Sequence, residues 1–310
     1  CRRSDFVEVA RFKGNQFLMY VYKVYKDIRL VGAPPETIGK FGGDTDNWEW
    51  PRHTGDYSIF RVYTAKDGKP ASYSSENVPL KPKWFLPVSL SGYKDGDYSM
   101  IYGYPGGTNR YETSYGIKLK NEINNPSLVN LRDVRLKAMY AQMIKDPAVK
   151  LKLSDSYSSI ANYWKYFIGQ TEQLKRLHVV DQKMDNEAAF TKWAYKNAPE
   201  YKGLMRDFSK IYNGYNTYAK HAVYYSECFK APALAKLGAS TEKLYEELDK
   251  ENPSQDTIKK HVNAIKSARK SIMKTFDKGT ETELTAEMLK MFYQDIPKSQ
   301  HPSVYERVIF

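Results

Sequence analysis

The sequence predicts an α+β chain, with a β region of short strands over residues 1–118 and an all-helical region over 119–310. Three observations predict it. Apolar and aromatic residues alternate between Asp-Gly and Pro-Gly turn signals in the first region, and apolar stripes at helical spacing fill the second. Proline-bearing breaks separate those stripes. In chain order, Gln16 to Val24 reads as a strand, and Asp56-Tyr57-Ser58-Ile59-Phe60-Arg61-Val62-Tyr63 as a second. Lys66-Asp67-Gly68-Lys69 is a turn of the hairpin kind, with further turns at Tyr93-Lys94-Asp95-Gly96-Asp97 and Tyr104-Pro105-Gly106-Gly107. Short strands punctuated this way suggest a sandwich or barrel. From about Asn121 the period becomes helical, and Asp146-Pro147 reads as an N-cap with a first-turn proline. Three stripes are expected to be core: Ile160, Trp164, Phe167, Thr171 and Leu174; Leu204, Phe208, Ile211, Tyr215, Tyr218 and Ala222; and Ile258, Val262, Ile265, Ile272 and Phe276. Asn197-Ala198-Pro199, Ala231-Pro232 and Asn252-Pro253 break the helices, and Val304 to Phe310 reads as helical again.

A chain of 310 residues has room for two cores. Its 41% hydrophobic and 27% charged content is that of a globular protein. No run reaches the ~18 apolar residues of a membrane span. The net charge of +12 is distributed along the chain, with no block of like charge. It reads as a solvated basic surface, so no nucleic-acid partner is expected. Cys1 and Cys228, the two cysteines, make neither a disulfide framework nor a metal site. The 26 tyrosines suit binding clefts and extracellular surfaces. The abrupt start at Cys1, with no apolar leader, reads as a piece cut from a longer chain, and so does the uncapped end.

Gly39 to Asp56 carries the most chemistry. It is a loop by composition, yet it holds Trp48, Trp50, Asp44, Asp46, Arg52 and His53 among glycines and Pro51. Calcium does not fit, because Glu49 stands where an EF-hand loop turns on Gly and Gly55 where it needs a bidentate Glu. Zinc fits no better, since His53, His178, His221, His261 and His301 never fall at paired ligand spacing. No metal or cofactor is implied. Asp56, at the head of a strand after a glycine turn, stands where a trypsin-like barrel can hold the carboxylate that orients a catalytic histidine. An Asp after Gly is also an ordinary turn or capping residue.

The run from Gly39 to Tyr63, with Val31-Gly32-Ala33-Pro34-Pro35 before it, closely resembles the dipeptidyl-peptidase 7 and 11 family of bacterial serine exopeptidases. Tyr102-Gly103-Tyr104-Pro105-Gly106 and Ala161-Asn162-Tyr163-Trp164-Lys165 also fit that family. The resemblance implies a chymotrypsin-like double β-barrel with a large helical domain inserted as a lid. It puts the triad aspartate on Asp56, and the residues holding a substrate's free amino terminus on Asn47, Trp48 and Asn162. A protonated α-amine only donates, so amide oxygens are suitable acceptors, and an indole face offers cation–π contact. His53 takes a structural role under the resemblance, since the family's base lies upstream, and Arg52 braces the loop through Asp44 or Asp46. Glu49 departs from the apolar residue expected there. No Gly-x-Ser-x-Gly or Gly-Asn-Ser-Gly run occurs, so the serine, like the histidine, is expected outside this chain. This piece alone is then expected to be inactive. The resemblance further implies peptide substrates with a free N-terminus, a homodimeric full-length enzyme, and a periplasmic or cell-surface location. The choice between acidic and hydrophobic residues at the cleavage position stays open. The alternative is a non-catalytic extracellular module that binds peptides or glycans.

Overall fold

The structure, a computed structural model, describes residues 6–11, 16–43, 47–100, 107, 109–303 and 305. It divides into two compact units, Cys1–Pro105 and Gly106–Phe310. Cys1, Asp44, Asp46 and most of the Tyr104–Gly107 turn lie outside the described residues, as does Val304 to Phe310 apart from Tyr305.

The first unit is built from antiparallel strands. β1 (Phe6–Arg11) pairs with β2 (Gln16–Val21) in a two-stranded sheet. A second sheet has the order β3 (Asp27–Gly32), β4 (Ile59–Thr64) and β5 (Val78–Pro79), with an irregularity in register between Leu30 and Gly32. A short helix, α1 (Glu36–Gly39), opens the connection from β3 to β4. Gly68 and Gly96 take the positive φ their turns require, 77° and 87°. The chain does not return directly into a strand after Gly68; it wanders to Val78 before pairing with β4.

That wandering segment is tied down by a polar knot. Asp27 is buried and accepts from Arg29 through Nε at 3.0 Å and Nη2 at 2.9 Å, and from the Asn77 amide at 2.8 Å. Arg29 Nη2 also donates to the Ser74 carbonyl, and its guanidinium lies 3.8 Å from the Tyr63 ring centre. Arg29 and Asn77 together hold the Asp27 carboxyl at about 2. Strand β3, strand β4 and residues 72–77 are thus joined at one charge-assisted node.

The second unit is helical from Ser114, earlier than the period of the sequence suggests. Thr113 caps α2 (Ser114–Leu119), and Ser114 donates to Glu187 through both its N–H and Oγ at 2.6 Å. A π turn, Lys120–Asn124, runs on into α3 (Asn125–Met143). α4 (Pro147–Arg176) begins where Asp146 accepts from the Ala148 N–H at 2.8 Å, as Asp146-Pro147 predicts. There follow α5 (Val179–Asn197), α6 (Leu204–Tyr225), α7 (Ala233–Ala239), α8 (Glu242–Leu248), α9 (Gln255–Ile272) and α10 (Lys278–Asp295). All three predicted breaks fall between helices.

The core gathers on α10. Leu284, Met288, Phe292 and Ile296 recur every fourth residue and pack with Leu131, Tyr224, Cys228 and Tyr305. A second π turn, Ser226–Lys230, follows α6 and carries Glu227 and Cys228 inward. Arg132 and Arg135 of α3 donate to the two oxygens of Glu227 at 2.9 and 2.6 Å. Burial alone would raise that carboxyl, but Arg135 and Arg132 outweigh it and hold it below its ordinary value. Burial pushes the Cys228 thiol up to about 12, so it packs as a neutral core group.

The α6 stripe expected to be core is not. Ile211 is 66% exposed, and Tyr215, Tyr218 and Ala222 also face out. The buried face carries Ala219 and Tyr224, whose hydroxyl donates to Asp295. Periodicity cannot separate two tyrosine-rich faces of one helix; the hydroxyl's partner on α10 decides which goes inside. Among the described residues no helix is long and apolar enough to cross a membrane. Phe292→Ala should cost about 3–5 kcal/mol in denaturant unfolding, whereas Ile211→Ala should stay within about 0.5 kcal/mol. Equal losses would return the outer α6 face to the core.

Candidate functional site

Residues 33–58 leave the sheet at Gly32 and return at Ile59, two positions that pair with each other. The excursion is laddered above that base. The Gly55 N–H donates to the Ile38 carbonyl at 3.1 Å, and the Gly42 N–H donates to the His53 carbonyl at 2.9 Å. Each rung satisfies backbone groups that would otherwise need water, and each shortens the free tip. Gly55 fits closely at its rung, where a Cβ would sit 3.1 Å from the Ile38 side chain and push it aside by a few tenths of an ångström. Gly43 takes φ 56°, a left-handed value that glycine accepts without strain.

Asn47 and Trp48 stand at that tip, and Asp56 at its root. Asn47 is half-buried. Trp48 is held at φ 67° with its side chain 66% exposed. A left-handed backbone is costly for a bulky residue, by about 1–2 kcal/mol, and burial of the ring does not offset it here. Asp56 follows Gly55 directly, three residues before β4, and is exposed. Asn162 lies on α4 of the helical unit, exposed beside the buried Ala161.

Two further ionisable residues of the loop, Arg52 and His53, are among the described residues. Arg52 Nε donates to Thr54 Oγ1 at 2.8 Å, a local brace; Asp44 and Asp46, its expected partners, lie outside the described residues. His53 supplies its carbonyl to the upper rung. Among the described residues no group of three His, Cys, Asp or Glu could hold a metal. Sequence reasoning missed the rungs, although the glycines at 42 and 55 were their visible trace.

The profile of the family described as Peptidase S46 matches residues 4–309. The chain belongs to the peptidase S46 family. An Asp/Glu-specific dipeptidyl-peptidase of Capnocytophaga gingivalis is 39% identical over 294 residues, covering 94% of this chain and 41% of that protein. Dipeptidyl-peptidase 7 of the same organism is 44% identical over 225 residues, covering 72% of this chain and 32% of its own. The crystal structure of Porphyromonas endodontalis DPP11 in complex with the dipeptide Arg-Glu matches with a TM-score of 0.79 at 30% identity. That match covers 97% of this chain and 43% of the other. This S46 chain therefore spans about a third to two fifths of the length of these relatives.

Trp48→Gly should leave stability unchanged or raise it by up to about 1 kcal/mol, because glycine takes φ 67° without strain. Loss of more than about 1 kcal/mol on denaturation would make the ring a packing residue instead.

Proposed function

We propose that this chain is part of a serine dipeptidyl peptidase, contributing the triad carboxylate and the clamp for a substrate's free amino terminus. The observation that carries the reading is the laddered loop, with a strained, exposed Trp48 at its tip and Asp56 at its root. The names of the S46 relatives, all dipeptidyl-peptidases, support the reaction. The antiparallel pairing of β1 with β2 and of β3, β4 and β5 is compatible with part of a chymotrypsin-like double barrel.

In this mechanism the Asp56 carboxylate accepts the Nδ1–H of an imidazole, fixes its tautomer and stabilises the imidazolium formed as a serine attacks the scissile carbonyl. The imidazole and the serine come from outside residues 1–310, so this chain alone releases no dipeptide. Asn47 and Asn162 accept from the substrate's protonated α-amine while Trp48 walls or caps it. A clamp on the amine fixes the distance to the scissile bond at two residues, which converts an endopeptidase scaffold into one that counts dipeptides. Relatives named Asp/Glu-specific dipeptidyl-peptidase and dipeptidyl-peptidase 7 match this chain at 39% and 44% identity, and in this reading the choice of side chain at the cleavage position is made outside it.

In the complete protein, Asp56→Asn should lower kcat by ~10⁴ with little change in KM. Asn162→Ala should lower kcat/KM by about 10- to 100-fold, the worth of one hydrogen bond to a charged amine. Near-normal turnover by Asp56→Asn in a dipeptide-release assay would remove that residue from the triad.

A further inference from the structure

α6 carries an apolar stripe beyond the one its own core uses. The buried face holds Ala219 and Tyr224, and the helix packs on α2, α3 and α5. The outer stripe advances from Leu204 to Ala222 in alternating steps of four and three residues, and Tyr225 adds another step of three. This is a seven-residue repeat held for about 30 Å, the length of the helix. Ile211, Tyr218 and Tyr215, at its centre, are 66%, 59% and 48% exposed. A contiguous apolar strip of this length is more than a soluble protein ordinarily leaves in water, and it marks a docking surface.

The spacing says what docks. A repeat of 3.5 residues keeps one seam facing a second helix, whose side chains enter the holes between the knobs of the first at a shallow crossing angle. An extended peptide, with its period of two, matches no such seam. Two observations say where that helix comes from. The short turn Lys298–Gln300 lies against the middle of α6, where Gln300 Nε2 donates to the Thr217 carbonyl at 3.1 Å, next to Tyr218. Tyr305 is then pinned to α10, its hydroxyl donating to the Leu289 carbonyl at 2.8 Å. Polypeptide beyond it is therefore tethered near the seam, and a helix within it docks at the cost of closing a loop, not of bringing two molecules together. The second observation is length. Relatives that match 94% and 97% of this chain have more than half of their own length outside the match.

We propose that in the complete protein the outer face of α6 is covered by a helix of the same polypeptide, from the part that follows residue 310. That helix presents aliphatic residues at the same seven-residue spacing, filling the gaps between Ile211, Tyr215 and Tyr218. The inference rests on the reading of this chain as part of a longer peptidase, and is independent of the role of Asp56. Ile211→Ala is then nearly neutral only where the seam is bare, as it is in residues 1–310.

The test replaces Tyr218 of the complete protein by photoreactive p-benzoylphenylalanine and irradiates it. Mass spectrometry should join position 218 to a residue beyond 310, and the adduct should keep the monomer mass on a denaturing gel. A doubled mass would make the seam a contact between two copies and overturn the proposal. Adducts confined to residues 1–310, or no adduct at all, would overturn it too. A second measurement is thermal unfolding of the complete protein. Ile211→Asp should lower the midpoint by at least about 5 °C with the mass in solution unchanged, while Lys210→Asp, at an exposed position beside the seam, should stay within about 1 °C. An unchanged midpoint for Ile211→Asp would also sink the idea. A bare seam in a protein that still releases dipeptides would leave the peptidase reading standing. Conversely, normal turnover by Asp56→Asn would remove the triad role and leave the cross-link unaffected.

Discussion

A loop that departs from one strand and returns to its neighbour is only as rigid as the bonds between its two limbs. Here the limbs are held at Gly32 against Ile59, at Ile38 against Gly55, and at Gly42 against His53. Remove those rungs and residues 33–58 become a long segment with one short helix, able to sample many shapes at an entropic cost on every binding event. With them, the two limbs below the tip are tied together and Asp56 is held beside the rung at Gly55.

The sheet under the loop has its own anchor. Asp27 heads β3, and its bonds to Arg29 and Asn77 draw residues 72–77 against that strand, while Arg29 stacks on Tyr63 of β4. In the helical unit a comparable charge node, Glu227 with Arg132 and Arg135, joins α3 to the π turn after α6. That turn adds a residue to the helical repeat and so brings both Glu227 and Cys228 inside. Breaking a buried pair by removing one partner strands the other charge, which makes such nodes sensitive points of the fold.

Local signals are legible in this sequence, and tertiary choices are not. The Asp146 cap, the three proline breaks and the glycines at 68 and 96 depend only on short-range backbone chemistry, and each appears as expected. The start of the helices at Ser114 was missed, because α2 is short and rests on Glu187, a partner 73 residues away. The outward turn of Ile211, Tyr215 and Tyr218 was missed because tyrosine serves on either side of a helix, and Tyr224 went inside by finding Asp295. In the candidate site, composition marked residues 39–56 as a loop with a purpose. The rungs that shape it are backbone bonds, which leave no trace in side-chain type beyond the glycines that permit them.

The most direct test of the account is a structure of the complete protein with a dipeptide product bound. The dipeptide's free amine should lie within about 3.2 Å of the amide oxygens of Asn47 and Asn162, and the Asp56 carboxylate on the Nδ1 of an imidazole. A dipeptide whose amine lies elsewhere, or an Asp56 with no imidazole in reach, would contradict it.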